Sequence, residues 1–149
     1  MTRLARRVLL LVGAVAVAGC GNSATTTSPT TTTTATALTE LYSGTLSPKG
    51  SSFYSFTVAA TGSLSITLAS TTTTKIGPAV AATLTLGLGT PSGFGCTVTS
   101  SVAATPGLSA QLSNASLTAE SNGSVYCLRI SDPGQLTSDI LFVVRIVHT

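Results

Sequence analysis

The sequence predicts an all-β protein: a single antiparallel β-sandwich of about seven or eight strands, with jelly-roll or Greek-key connections. Apolar residues alternate with Ser, Thr and small residues over most of the chain after residue 38. Gly, Pro, Asn and Ser separate these runs at short intervals, and no segment has the apolar stripe of an amphipathic helix. We expect the sandwich to occupy residues 38–149.

The strands follow from the apolar period of two. Alternation of this kind predicts strands of an antiparallel sheet with one buried and one wet face. It covers residues 54–58, 64–68, 80–88 and 126–130. Residues 140–147 are apolar on both faces apart from Arg145, which predicts a strand in the centre of a sheet.

The connections are predicted from turn-forming residues, which favour tight backbone conformations. Turns are expected at residues 47–51, 60–63, 89–95, 122–123 and 132–135. Residues 71–78 resemble an inserted loop. Residues 108–120 fit one or two short strands or an irregular crossing.

The N-terminal segment has the parts of a secretory signal. Arg3, Arg6 and Arg7 form a positive region, and residues 8–18 form an uncharged apolar run of eleven residues. This run is well short of the ~20 residues that a transmembrane helix needs. The segment is therefore predicted to direct export rather than to remain as a spanning anchor.

The end of this run and the two residues after it, Val17, Ala18, Gly19 and Cys20, resemble a bacterial lipobox. In such proteins the Cys receives diacylglycerol and becomes the new N-terminus after cleavage. The resemblance implies a signal peptide at residues 1–19, lipidation of Cys20 and attachment to a membrane of the cell envelope. Gly21 in place of Asp favours the outer membrane in a Gram-negative cell. An ordinary secretory signal or an uncleaved N-terminal anchor is the alternative.

Residues 20–37 are predicted to tether the domain to the lipid. They consist almost entirely of Thr, Ser and Ala, without charge or large apolar side chains. Such a segment buries too little apolar surface to offset its ordering entropy, so we expect it to be disordered. Its hydroxyl groups are possible sites of glycosylation.

The charge of the chain argues against a nucleic-acid partner. The formal net charge of +3 comes from the three arginines of the signal segment. The remaining residues carry four Lys or Arg against four Asp or Glu. Without a basic patch the dominant electrostatic term in nucleic-acid affinity is missing.

Cys96 and Cys127 form an even pair once Cys20 is lipidated. Outside the cytoplasm they are expected to form a structural disulfide. By closing a loop in the unfolded chain, this bond is expected to stabilise the fold by about 3.5 to 4 kcal/mol. Cys127 shares a strand face with Val125 and Arg129, so the bond is expected at a sheet edge or between this strand and residues 93–95. Its loss is expected to lower the melting temperature and leave ligand binding unchanged. The alternative, a reactive pair of thiols or a metal site, is not supported, because the two cysteines lack the Cys-x-x-Cys spacing.

No catalytic residues and no metal or cofactor site are predicted. The chain has one His, His148, placed at the expected frayed end, and no Gly-x-Ser-x-Gly motif. Asp132 precedes Pro133 and Gly134 as a turn former, and Asp139 precedes a strand. Glu40 and Glu120 complete the set of carboxylates, which offers no clear acid–base pair.

The aromatic residues suggest a binding surface. Tyr54 and Tyr126 fall on the apolar period and are expected to pack on the core. Phe53 lies on the opposite face of its strand, and Phe94 lies in a glycine-rich loop. Phe53 and Phe94 are therefore the candidate ligand-binding residues.

Parts of the chain resemble the bacterial pre-peptidase C-terminal domain. The similarity covers residues 41–68, with the runs YSGTL, SSFYSFTV and GSLSITL, and residues 124–147, with YCLRI. It implies a small jelly-roll-like sandwich of the kind usually appended to secreted proteases and other exported enzymes. The acidic residues of the family's central strands are missing here, so no bound calcium is expected.

These observations predict a membrane-anchored envelope lipoprotein with a non-catalytic binding or interaction module. The expected ligand is a carbohydrate or another envelope protein. The alternative is a structural or accessory subunit of an exported complex.

Overall fold

The computed structural model describes residues 36–149, and these residues form eight β-strands and no helix. The strands in chain order are β1 (Leu38–Leu46), β2 (Ser51–Val58), β3 (Gly62–Thr72), β4 (Leu84–Ser92), β5 (Gly95–Ala104), β6 (Leu112–Leu117), β7 (Ser124–Ser131) and β8 (Ile140–His148). The predicted signal peptide, the lipobox with Cys20 and nearly all of the tether lie outside the described residues. Between residues 36 and 149, no helix is long and apolar enough to cross a membrane.

The strands form two four-stranded antiparallel sheets that pack face to face. The first sheet has the order β1-β8-β3-β6 and the second has the order β2-β7-β4-β5. Apart from the β4–β5 hairpin, each strand lies in the opposite sheet from the strand that follows it. This order is that of an eight-stranded jelly roll. The prediction of an all-β sandwich is confirmed, and of the two predicted connectivities the jelly roll is the one observed.

The core fills the space between the two sheets with aliphatic side chains. Each strand contributes alternate residues, because successive side chains of a strand point to opposite faces. The aliphatic side chains with no exposed surface are Val58, Ile66, Leu68, Leu84, Leu86, Leu128, Ile130, Val144 and Ile146. Burying each contributes about 1.5 to 3 kcal/mol before the entropy of ordering is subtracted.

Strand β8 lies between β1 and β3 in the first sheet, as the apolar run at residues 140–147 predicts. Its inward residues are buried, and its outward residues Leu141, Val143 and Val147 are half-buried. Arg145 is the exposed exception on this outer face. A central strand is covered on both sides by neighbours, which is why even its outward positions are apolar.

Tyr42 and Tyr54 pack against each other where the edge strands β1 and β2 meet. Their rings lie 4.9 Å apart between centroids. The Tyr54 hydroxyl donates to the carbonyl oxygen of Ser43 at 3.1 Å, and the Tyr42 hydroxyl lies 3.2 Å from the carbonyl oxygen of Ser55. The Tyr54 bond occupies a carbonyl group of β1 that an unpaired sheet edge would otherwise expose.

The structure differs from the predicted elements between residues 71 and 104. The strand expected from residue 80 begins at Leu84. Val80 instead lies in the loop and donates a backbone hydrogen bond of 2.9 Å to the carbonyl oxygen of Thr71 in β3. Strand β4 continues to Ser92, so the predicted turn at 89–95 is shorter. Strand β5 has no clear apolar alternation in sequence, because it is an edge strand with mostly exposed Ser, Thr and Ala residues.

Candidate functional site

The site is built on the β4–β5 hairpin, whose tip is fastened to β7 by the disulfide. Cys96 and Cys127 are bonded, with their Cα atoms 5.8 Å apart, which confirms the predicted pair and lies within the usual range. Strand β4 separates β5 from β7 in the sheet, but its pairing with β7 ends at Gly89 opposite Cys127. Beyond that point Cys96 reaches β7 directly. Cys127 is fully buried although its strand neighbours Val125 and Arg129 are exposed.

Gly89 allows the hairpin to change direction at this point. The β4–β5 register shifts between Leu88 and Gly89, and the Thr99 hydroxyl donates to the carbonyl oxygen of Leu88 at 3.1 Å. A Cβ atom at Gly89 would lie 1.9 Å from the carbonyl oxygen of Thr97, so no side chain fits there. Such a bulge bends a strand and increases its twist. The bulge thus lies between the regular part of the hairpin and its disulfide-bonded tip.

A groove of about 310 Å³ lies between the hairpin tip, the start of β2 and the outer face of β7. It is lined by Ser51, Ser52, Phe53, Phe94, Gly95, Cys96 and Arg129. The two phenylalanines singled out from the sequence thus border one groove. Neither local sequence nor strand periodicity links them, because the disulfide and the curled hairpin bring Phe94 to β2.

The two aromatic rings of the groove are open to solvent. The exposed fraction of Phe53 is 46%, and Phe94 is fully exposed at the hairpin tip. Gly93, which precedes Phe94, has a φ of 57°, a left-handed conformation that glycine adopts without strain. Tyr54 and Tyr126, by contrast, pack against the core, as their positions on the apolar period predict.

Arg129 lies at the centre of the outer face of the second sheet. It is opposite Phe53 on one side and Gly87 on the other. It lines the aromatic groove and also a hollow of about 170 Å³ with Thr85, Gly87, Val98, Ser101 and Ser131. Arg129 does not stand out as a site residue in the sequence, because its place in the groove depends on the register of β7 with both neighbouring strands.

A hollow of about 530 Å³ lies on the outer face of the first sheet. It is lined by Ser43, Gly44, Thr45, Ser70, Thr72, Lys75, Leu141, Phe142 and Val143. Its one aromatic residue, Phe142, is only 1% exposed and belongs to the core. This surface offers hydroxyl groups and an aliphatic floor but no accessible aromatic ring.

Glu40 and His148 form a separate polar pair. The His148 Nε2 atom lies 3.0 Å from the Glu40 Oε1 atom, and the Tyr42 hydroxyl donates to Oε2 of the same carboxylate. His148 is 2% exposed and is paired with Leu38 in the β1–β8 register. The expectation of a frayed end at His148 is therefore wrong, because β1 and the ring of Phe56 cover it.

The contacts among Glu40, Tyr42 and His148 shift the pKa values of Glu40 and Tyr42. Burial raises the pKa of Glu40. Hydrogen bonds from Tyr42 and His148 and the attraction to His148 lower this pKa by more, so the net shift is downward. Burial and the adjacent carboxylate raise the pKa of the Tyr42 hydroxyl well above its ordinary value. The Glu40 carboxylate is thus kept ionised and the Tyr42 hydroxyl protonated.

Asp132 is engaged in a different cluster that joins two loops. Its carboxylate accepts hydrogen bonds from the backbone N–H groups of Lys49 at 2.8 Å, Gln135 at 2.8 Å and Leu136 at 3.2 Å. Its own N–H donates to the carbonyl oxygen of Gly50 at 3.0 Å. The predicted turn former is therefore also a clamp between the β1–β2 turn and the β7–β8 loop.

The polar clusters and the groove are distinct in their chemistry. Within residues 36–149, no three His, Cys, Asp or Glu side chains lie together in an arrangement that could hold a metal ion. Neither His148 nor a carboxylate lines the aromatic groove. Its lining combines two aromatic rings, two serine hydroxyls and one guanidinium group.

Fold and groove together define a jelly-roll sandwich with an open aromatic surface. Comparison with known proteins gives no match: no protein-family model, curated protein or solved structure is significantly similar to the chain. The resemblances to a lipobox and to the pre-peptidase C-terminal domain therefore stay predictions from the sequence.

Proposed function

We propose that this protein is a lipid-anchored component of the cell envelope whose jelly-roll domain binds carbohydrate without catalysis. The observation that carries the proposal is the groove bordered by Phe53 and Phe94. It contains two accessible aromatic rings on a domain in which other aromatic rings pack against the core.

The chemistry of the groove matches that of a sugar ring. One face of a pyranose presents C–H groups that pack on an aromatic ring, while its edge presents hydroxyl groups. Phe53 and Phe94 supply the rings, and Ser51 and Ser52 supply hydrogen-bonding groups beside them. A few polar groups among aromatic ones, in a volume near the lower end of ~300–1,000 Å³, are typical of small-ligand sites.

The site is also held in shape before any ligand arrives. Phe53 is on a strand, and the disulfide ties the hairpin that carries Phe94 to β7. Holding two contact groups in place lowers the entropy that must be lost on binding. The absence of His148 and of carboxylates from the lining supports a binding role rather than hydrolysis.

The cellular part of the proposal comes from the sequence. Cys20 would carry the lipid, and residues 21–37 would let the domain reach glycans near the membrane surface. The competing hypothesis is an accessory subunit of an exported complex, in which the exposed surface contacts a protein.

Glycan binding can be tested with the full-length chain and one matched pair of variants. Phe94→Ala removes the exposed ring of the groove, whereas Ile76→Ala removes an equally exposed apolar side chain in the β3–β4 loop. On a glycan array, binding should be lost in Phe94→Ala and retained in Ile76→Ala. Absence of glycan binding by the unchanged protein, together with one stoichiometric protein partner in a crosslinked pull-down, would favour the accessory subunit.

A further inference from the structure

The outer face of the second sheet carries a cation that the neutral-sugar chemistry of the groove does not require. Arg129 projects from β7 between the aromatic groove and the smaller polar hollow, and it lines both. We propose that Arg129 binds the carboxylate of an acidic sugar, so that the ligand is a glycan containing uronic acid. This inference rests on the proposed carbohydrate function of the same groove.

The surroundings of Arg129 leave its guanidinium group available to a ligand. In the described part of the chain it forms no salt bridge, and the one ion pair found there joins His148 and Glu40. No carboxylate lines either hollow beside it. An exposed guanidinium group presents several N–H donors in a planar fork, which matches the two oxygens of a carboxylate.

The neighbours of Arg129 differ on its two sides. On the β4 side its partner is Gly87, and the Val98 side chain covers this glycine, since a Cβ atom at Gly87 would lie 2.9 Å from it. On the β2 side its partner is Phe53. The guanidinium group is therefore bordered by an aromatic ring on one side and by a shallow polar hollow on the other.

This arrangement fits a charged sugar in an extended chain. A sugar ring packed on Phe53 and Phe94 would place its substituents toward Arg129, where a carboxylate finds its partner. The hydroxyl groups of Thr85, Ser101 and Ser131 line the hollow on the far side of Arg129. An adjoining sugar unit can form hydrogen bonds there. The two hollows thus accommodate neighbouring units of one acidic chain.

The test compares acidic oligosaccharides with their neutral esters. Trimers of galacturonic, glucuronic and mannuronic acid, and the methyl ester of each, are titrated by calorimetry into the full-length protein in detergent. At least one free acid should bind more tightly than its ester, and added salt should weaken that binding. The variant Arg129→Gln should reduce the affinity for this acid about 10- to 100-fold, the range expected for a charged hydrogen bond.

Matched variants separate this inference from the proposed function. Arg145→Gln removes an exposed arginine from the outer face of the first sheet and should leave the affinity unchanged. Arg129→Lys, which keeps the charge but not the fork, should give an intermediate affinity. Phe94→Ala should weaken the binding of acids and esters alike.

The possible outcomes are distinct. If esters bind as tightly as acids and Arg129→Gln changes nothing, while Phe94→Ala abolishes binding, the acidic specificity is wrong and the carbohydrate function stands. If neither acids nor esters bind and a broad glycan array is also blank, both proposals are wrong. Melting curves of Arg129→Gln should match those of the unchanged protein, since the side chain is exposed.

Discussion

Asp132 shows how one side chain can serve as a turn former and as a structural clamp. Burial raises the pKa of its carboxyl group, but hydrogen bonds from the N–H groups of Lys49, Gln135, Leu136 and Gly134 lower it more. Lys49 itself has a φ of 58°, a conformation that non-glycine residues adopt only with support. The bond from its N–H group to Asp132 supplies such support at the β1–β2 turn.

We predict that the Asp132 carboxylate makes the unfolding free energy depend on pH in the acidic range. Because the folded-state pKa lies below the ordinary value of 3.8, the ionised carboxylate stabilises the fold above that pH. This contribution is lost as the pH falls from 3.8 through the folded-state pKa. Asp132→Asn should lower the unfolding free energy at pH 6, and this loss should shrink as the pH falls below 3.8.

Urea unfolding of both proteins between pH 6 and pH 2 measures this effect. Asp139→Asn is the matched control, because Asp139 is an exposed carboxylate in the same loop. It should leave the curve nearly unchanged. An equal loss of stability in Asp132→Asn at every pH would mean that the carboxylate charge contributes nothing.

At the scale of elements, the β4–β5 hairpin links stability to binding. Cys96 is both a partner in the disulfide and a lining residue of the aromatic groove. From the sequence, the bond is expected to be purely structural, with no effect on ligand binding. The structure changes this expectation, because release of the hairpin tip would also release Phe94 from its position beside β2.

We therefore predict two effects for the double variant Cys96→Ala, Cys127→Ala. Without the bond, which joins residues 31 positions apart, the unfolded chain regains conformational entropy. This should lower the unfolding free energy by about 3.5 to 4 kcal/mol. For a domain of this size, the melting temperature should fall by about 10 °C or more. Glycan affinity should also fall at temperatures where the variant is still folded, because Phe94 is no longer held in place.

Calorimetric melting and glycan titration at 15 °C measure the two effects separately. Mass spectrometry of non-reduced peptides provides the starting control, since free thiols in exported protein would contradict the bond. Unchanged affinity in a less stable variant would show that the bulge at Gly89 alone positions the hairpin. In that case the disulfide would have only the structural role that the sequence suggests.

The elements also show what local sequence can and cannot predict. Alternation predicts β2, β3, most of β4 and β7, because each has a buried inner face whose side chains must be apolar. The apolar run at residues 140–147 predicts β8. Alternation fails for β5, an edge strand whose residues are mostly exposed or half-buried and which pairs only with β4. Phe53 and Phe94 stand out as aromatic residues at polar positions. Arg129 does not, because an exposed arginine on a strand is unremarkable until the register places it beside them.

At the scale of the whole molecule, the jelly-roll order is not encoded in any single segment. It arises from long-range pairings such as β1 with β8, which bring Glu40 to the buried His148. The sequence places His148 at a chain end and so suggests fraying. Only pairing with a strand more than 100 residues away reveals that it is covered, since local patterns carry no information on partners so distant.

The whole molecule must also be placed in the cell, and the last prediction concerns Cys20. If the lipobox is correctly interpreted, Cys20→Ser should prevent the addition of diacylglycerol, because serine lacks the thiol that receives it. The decisive measurement is the mass of the N-terminal peptide from the membrane fraction. Detergent partitioning is secondary, since an uncleaved apolar segment of eleven residues would also enter detergent.

The double variant Cys96→Ala, Cys127→Ala is the matched control for this experiment. It also loses thiol-bearing side chains, but it leaves residues 17–20 intact and should still carry the lipid. The two variants thus separate anchoring from folding: one should lose the lipid and keep its melting temperature, and the other should do the reverse. Diacylglycerol on Cys20→Ser protein would show that Cys20 is not the residue that carries the lipid. Its absence from the unchanged protein would show that residues 1–20 are an ordinary signal or an uncleaved anchor.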